Sequence, residues 1–337
     1  MGELILQAKN LKTYLYLASG VVKAVDGVSF DLKRGMTLGI VGESGSGKSM
    51  TASSIMRLLP KNTGKIVEGE ILFDGRNVLT LSKKELLEYR GKEVSLISQD
   101  PMTSLDPVFK VGYQMVEMIR AHRNVTVEEA RAISIDSLKK VGIPNPESRM
   151  DSYPYELSGG MCQRVIIAMA ISAQPKLVIA DEPTTALDVT VQAQVLNLLK
   201  EMQRNLNTSI MLITHNLGIV WEMCDEVMVM YAGKTVEHTT ARKLYAEALH
   251  PYTWGLLDSM PKLSQDSKTE LITIPGTPPD LRLTGGCCNF YNRCPYALQV
   301  CSERVPELIE VNPGHFVACH RQSKDSTLER VGVKINA

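Results

Sequence analysis

No apolar run in this sequence approaches the roughly 20 residues that a helix needs to cross a bilayer. The first residues, MGELILQAKNLKTYL, lack the charged-then-apolar order of a signal peptide. Both absences point to a chain that works in the cytoplasm. Charge of one sign is not in excess either: basic and acidic residues number 37 each. Such a balance gives no field that would gather nucleic acid or anionic lipid over the whole surface, so nucleic acid is not an expected partner. Internal repeats and low-complexity tracts are missing too. What is present is enough chain, 337 residues, for one large domain and a smaller one, and 44% hydrophobic residues to fill a core.

From about residue 4 to 250, short apolar strands alternate with helical stretches. MTLGIV (36–41), VSLIS (94–98), KLVIAD (176–181) and SIMLIT (209–214) read as buried strands. KSMTASSIMRLL (48–59) reads as a helix stopped by Pro60, and MCQRVIIAMAISA (161–173) as a helix ending before Pro175. In TVEEARAISIDSLKKVG (126–142), Thr126 and Glu129 form a capping box and Gly142 supplies the stop. VQAQVLNLLKEMQRNL (191–206) is a further helix. The alternation predicts an α/β fold with a largely parallel sheet covered on both faces. Beyond about residue 255 the texture changes: IPGTPPDLRLTGG (274–286) reads as an extended linker, and a cysteine-rich segment follows.

GESGSGKS (42–49) fits the phosphate-loop pattern G-x-x-x-x-G-K-[ST] and joins a predicted strand to a predicted helix. A plain glycine-rich turn is the alternative, but the flanking elements favour the loop. Gly42, Glu43, Ser44, Gly45, Ser46, Gly47, Lys48 and Ser49 would then curl around phosphate, with inward N–H groups and the positive end of a helix. Lys48 can reach the β- and γ-phosphates, and the Ser49 hydroxyl can bind Mg²⁺. KLVIADEP places Asp181 and Glu182 at a strand end, where open parallel sheets bind ligands. One carboxylate there can hold Mg²⁺; the second can take a proton from an attacking water. Gln99 and His215 each follow a buried strand on the same predicted edge. Alone, either would read as structural; their shared placement raises both.

PYELSGGMCQR (154–164) adds a second anion cradle, with Ser158, Gly159 and Gly160 opening a helix. The ordered set of phosphate loop, Gln99, LSGGM, LVIADE, TTALD (184–188) and His215 resembles the nucleotide-binding domain of ABC transporters over about residues 4–250. The resemblance implies a P-loop ABC ATPase domain with a parallel-sheet core and a helical signature subdomain, across residues 1–255. It implies that Gln99 senses Mg²⁺ and couples the site to a membrane partner, and that His215 contacts the γ-phosphate and holds the water with Glu182. Asp188 would lie at a dimer interface. Ser158, Gly159 and Gly160 would serve the ATP of a partner in a head-to-tail pair. Met161 stands where the general family has Gln, and Leu15 stands where the usual adenine-stacking aromatic falls, leaving Tyr14 and Tyr16 as alternatives.

The last fifth crowds Cys287, Cys288, Cys294, Cys301 and Cys319, away from isolated Cys162 and Cys224. It lacks the C-x2-C pairs of a zinc ribbon, so four thiolates could hold an iron–sulfur cluster or zinc, or the cysteines could be packed without a ligand. The segment resembles the C-terminal extension of ATP-binding subunits in the oligopeptide/dipeptide/nickel importer family, where a [4Fe–4S] cluster is known in members. That resemblance assigns residues 256–337 to a linker and extension, with Cys288, Cys294, Cys301 and Cys319 as cluster ligands and Cys287 as an extra thiol. Met161 is usual in this subfamily. The implied activity is ATP hydrolysis with Mg²⁺ that drives a peptide importer from the cytoplasmic face of the membrane. The implied partners are a sister ATPase subunit, two transmembrane permeases and an extracytoplasmic solute-binding protein. Oligosaccharides or nickel are alternative cargoes, and a soluble ABC ATPase acting on nucleic acid is the remote alternative.

Overall fold

The computed structural model describes residues 3–185, 187–260, 273–324, 328 and 330. Among these the strands are β1 (Leu4–Leu17), β2 (Gly20–Lys33), β3 (Thr37–Val41), β4 (Gly64–Phe73), β5 (Arg76–Asn77) and β6 (Val94–Ile97). They continue with β7 (Leu177–Asp181), β8 (Ser209–Ile213), β9 (Glu226–Tyr231), β10 (Lys234–Thr240), β11 (Ile309–Asn312) and β12 (His315–Val317). The chain divides into two units. The first takes in Met1–Leu6, Leu32–Thr37 and Leu72–Ile213; the second takes in Gln7–Asp31, Leu38–Ile71 and Thr214–Ala337.

In the first unit, β6, β7 and β8 run parallel, with Val94 opposite Leu177 and Asp181 opposite Ile213. Every residue of β7 and β8 is buried, as the uninterrupted apolar runs of a sheet covered on both faces require. The helices Val111–His122, Val127–Lys140 and Gly159–Ser172 pack on one another. The capping box of the middle one forms as expected: the Glu129 N–H donates to Thr126 Oγ1 and the Thr126 N–H to Glu129 Oε2. The helix Gly159–Ser172 begins two residues before the apolar run because Ser158 Oγ accepts the Met161 N–H and so caps it.

In the second unit, β3 lies parallel to β9, while β10 returns antiparallel to β9 through a tight turn. Ala232 (φ 47°) and Gly233 (φ 80°) both take positive φ there, the signature of the hairpin turn whose twist suits its strands. β12 continues antiparallel to β10, and β11 to β12. The order β2-β1-β4 forms a separate sheet. The expectation of parallel strands therefore holds within β6–β7–β8 and for β3–β9, while β10, β11 and β12 run antiparallel to their neighbours. β9 joins β10, and β11 joins β12, through turns too short for the crossover that a parallel neighbour needs. The helix expected over 48–59 is also shorter, Lys48–Ile55. It closes five residues before Pro60, with Arg57 at φ 52° and the Leu58 N–H donating to Ser53 O. Residues 274–286 carry no helix or strand, in keeping with the extended linker read from them.

One buried lock ties the late strands down. Glu237 on β10 is wholly buried; its Oε1 accepts the Leu249 N–H at 2.7 Å and lies 2.7 Å from His315 Nε2 on β12. Its Oε2 accepts the His250 N–H at 3.0 Å. Next to it, His250 Nδ1 accepts the Tyr252 N–H at 3.0 Å and caps the helix Pro251–Asp258.

Candidate functional site

In the second unit, the buried strand β3 delivers the chain into residues 42–49, and the helix Lys48–Ile55 leaves from them. The glycines are required by space as well as by curvature. At Gly47 (φ 103°) a Cβ would lie 2.3 Å from Ala24 O, whereas at Gly45 (φ 77°) it would meet nothing within 4 Å. Lys48 is only 6% exposed, and its Nζ donates to Gly42 O at 2.8 Å and Glu43 O at 2.9 Å. Its charge is thus held against the loop's own carbonyls. Ser44 and Ser49 are exposed, while Ser46 is buried. Gly42 and Glu43 share a cleft of about 330 Å³ with His215, which places the predicted histidine beside the loop.

In the first unit the other set assembles at the end of β7. Asp181 closes the strand and is buried. Glu182 then turns to φ 48°, a left-handed backbone, while its N–H still donates to Ile213 O at 2.9 Å. A non-glycine residue in this region costs about 1–3 kcal/mol and persists where the surroundings impose it, as they do at active sites. Its Oε2 accepts from Gln99 Nε2 at 3.2 Å and from Thr185 Oγ1 at 3.1 Å. The Gln99 placement read from the sequence is thus realised. Thr185 is an addition; its place three residues past Glu182 in TTALD is the signal that marks it. Asp188 is the N-cap of the helix Val189–Leu206, its Oδ1 accepting the Val191 N–H at 3.0 Å. Ala186 of the TTALD stretch lies outside the described residues.

Tyr14 and Tyr16 differ. The Tyr14 hydroxyl donates to Asp26 Oδ1 at 2.8 Å, and burial, followed by this bond, pushes its pKa up to about 12. Tyr16 is exposed, with Lys65 Nζ 5.4 Å from its ring centre.

Residues 25–185 match the family model described as ABC transporter, and residues 236–301 match the one described as oligopeptide/dipeptide transporter, C-terminal region. The oligopeptide transport ATP-binding protein of Bacillus subtilis is 49% identical over 313 residues, 93% of this chain and 87% of that protein. That of Escherichia coli is 48% identical over 321 residues, 95% and 94% of the two chains. The dipeptide transport ATP-binding protein of Lactococcus lactis is 47% identical over 315 residues, 93% and 90%.

The chain belongs to the ATP-binding subunits of oligopeptide and dipeptide ABC transporters.

Among solved structures, the dimeric ATP-binding cassette MJ0796 bound to ADP and Pi superposes with a TM-score of 0.65 at 25% identity, covering 70% of this chain and 99% of that one. The subunit cbiO1 of Clostridium perfringens, part of the complex cbiONQ, gives 0.59 at 31% identity, covering 73% and 92%. The phosphate-loop fold of this ABC subunit is therefore established, as is its class of activity, ATP hydrolysis coupled to transport.

The cysteines of this ABC subunit do not form the ready-made metal centre expected of them. Among the described residues, no group of three or more His, Cys, Asp or Glu side chains is placed to hold a metal ion. All seven cysteines are free thiols. Burial, ahead of the other influences, pushes Cys288 up to about 12 and Cys319 up to about 11, and raises Cys294. Cys288 and Cys294 lie against the core around Tyr231, and Cys319 against Leu249, Val311 and Val317.

Proposed function

We propose that this subunit hydrolyses ATP to drive uptake of di- and oligopeptides, acting peripherally at the cytoplasmic face of the membrane. It would pair with a sister ATPase subunit beneath two permeases fed by an extracytoplasmic solute-binding protein. The observation that carries the catalytic reading is the strained Glu182, held by Gln99 and Thr185 just past the end of β7. Lys48 and the N–H groups of residues 42–49 would bind the β- and γ-phosphates. Ser49, Gln99 and Asp181 supply oxygen donors of the kind Mg²⁺ takes, and the ion would offset phosphate charge. Glu182 would draw the proton from water, with His215 holding that water against the γ-phosphate. Residues 1–255 would form the ATPase domain and residues 256–337 its extension.

Ser158, Gly159 and Gly160 would serve the sister subunit's ATP, with Asp188 at the same interface. A Cβ at Gly159 would meet nothing within 4 Å, so among the described residues no neighbour of its own chain explains a glycine there. A ligand brought by a partner does. On the side facing the permeases we place the exposed apolar residues Met102, Val108, Phe109 and Tyr113, which follow Gln99 in the chain.

The decisive experiment is Glu182→Gln. Hydrolysis falls by roughly 10²- to 10⁴-fold, the contribution of a positioned base, while ATP still traps a complex with the sister subunit. Hydrolysis at the wild-type rate would overturn the assignment.

For the cysteines, the reading is a [4Fe–4S] cluster held by Cys288, Cys294, Cys301 and Cys319. Each thiolate takes a different iron, so the sulfurs need not converge on one point. In support, the Cys288 N–H donates to Cys301 O at 2.9 Å, which brings the backbones of two of the four cysteines together. When bound, the cluster would cross-link the extension. Anaerobically isolated protein then carries iron and sulfide; stoichiometric zinc or metal-free protein defeats the reading.

A further inference from the structure

Between Cys288 and Cys294 the chain reads Cys-Asn-Phe-Tyr-Asn-Arg-Cys. Arg293 donates from Nη1 to Glu43 Oε2 at 2.6 Å and from Nη2 to Glu43 Oε1 at 3.0 Å, a bidentate pair with the phosphate loop. The same guanidinium donates to Pro275 O at 2.9 Å, Ile274 O at 3.2 Å and the Tyr231 hydroxyl at 3.3 Å. Arg293 is only 7% exposed, yet its fork is met on every side that these bonds reach. Asn289 Nδ2 donates to Ala232 O at 2.9 Å, and the next residue, Gly233, donates its N–H to Ser46 O of the loop at 2.9 Å. Phe290 packs against Tyr231 and Tyr252 with ring centres 5.2 and 5.4 Å away. The Tyr252 hydroxyl in turn accepts the Glu43 N–H at 2.8 Å.

We propose that residues 288–294 are a clamp on the phosphate loop and that Arg293 is a positioning residue for ATP. Glu43 is a carboxylate in a loop that receives a triphosphate. Unpaired, it repels the incoming charge; paired in two places with Arg293, it is neutralised and the loop is fixed before nucleotide arrives. Lysine cannot substitute fully, because it has no planar fork to hold both carboxylate oxygens and the two carbonyls together. The clamp rests on the reading of residues 42–49 as the ATP loop, and it needs no metal in the cysteine segment.

The test uses the full chain and measures ATP affinity, the split of KM against kcat, and the melting temperature. Arg293→Gln raises the ATP dissociation constant and KM about tenfold, and Arg293→Lys raises them less. Arg293→Gln with Glu43→Gln recovers most of the affinity, because the repelling charge is gone. If Arg293→Gln does not fold, Asn289→Ala, which removes only the bond to Ala232, raises the ATP dissociation constant while the fold stays intact. The clamp is overturned if these variants lower the melting temperature with ATP affinity unchanged, or if the double variant is as weak as Arg293→Gln alone. Lys48→Ala is the separate control: undiminished ATP binding by it would defeat the phosphate-loop reading itself, and the clamp with it.

Discussion

His250 is a base that the fold keeps neutral. Burial pushes its pKa down to about 4, against the opposing pull of the Glu237 carboxylate. Its Nδ1 lone pair is already committed to the Tyr252 N–H, so a proton there would cost the cap as well. The unfolded chain takes up that proton near pH 6.5; the folded chain refuses it until about 4. Stability from this residue is therefore complete above pH 6.5 and falls as the pH drops toward 4, by about 3 kcal/mol in all. Urea unfolding at pH 7 and pH 5 should show the loss in the wild type and a smaller one in His250→Asn, which keeps an acceptor for Tyr252. Equal losses would assign the pH dependence to other groups. At this scale the sequence is informative where chemistry is local. The glycines of 42–49 are legible because their spacing with Lys48 and Ser49 is a local pattern, whereas the left-handed turn at Glu182 has no residue-type signal at all.

Among the elements, the weight carried by Glu237 and His315 is the clearest case of a stabilising pair. Both are fully buried, and the pair joins β10 to β12. Removing one partner of such a pair leaves a polar group or charge buried alone, at a cost of about 3–5 kcal/mol. His315→Ala should lower the melting temperature accordingly, and His315→Gln, whose amide can still donate to Glu237, should lower it less. A melting temperature unmoved by His315→Ala would show that the hairpin β11–β12 is held elsewhere. Capping boxes, caps and buried parallel strands were readable because their determinants lie within a few residues. The pairing of β10 with β12 was not, since Glu237 and His315 are 78 residues apart and no local pattern links them.

For the whole molecule, the prediction concerns pairing. Gly159→Val places a side chain where the subunit's own described residues leave room. The isolated chain should keep its stability within about 0.5 kcal/mol, as surface substitutions do, while ATP-dependent association with the sister subunit is lost. Association at wild-type strength, measured by size-exclusion chromatography with ATP and the Glu182→Gln background, would refute the across-interface role. The family was legible because six motifs recur in order. The contacts between the cysteine segment and the phosphate loop were not, although Arg293 stood in plain view in YNRCP.

That ion pair has a consequence for how the protein is made. Glu43 and Arg293 are separated by 250 residues. A ribosome finishes the phosphate loop early, and the group that neutralises its carboxylate emerges only when synthesis is nearly over. Nascent chains stalled before residue 274 should therefore hold ATP weakly, and affinity should rise once the segment through Cys294 has left the exit tunnel. Competence to bind fuel would then report that translation is almost complete.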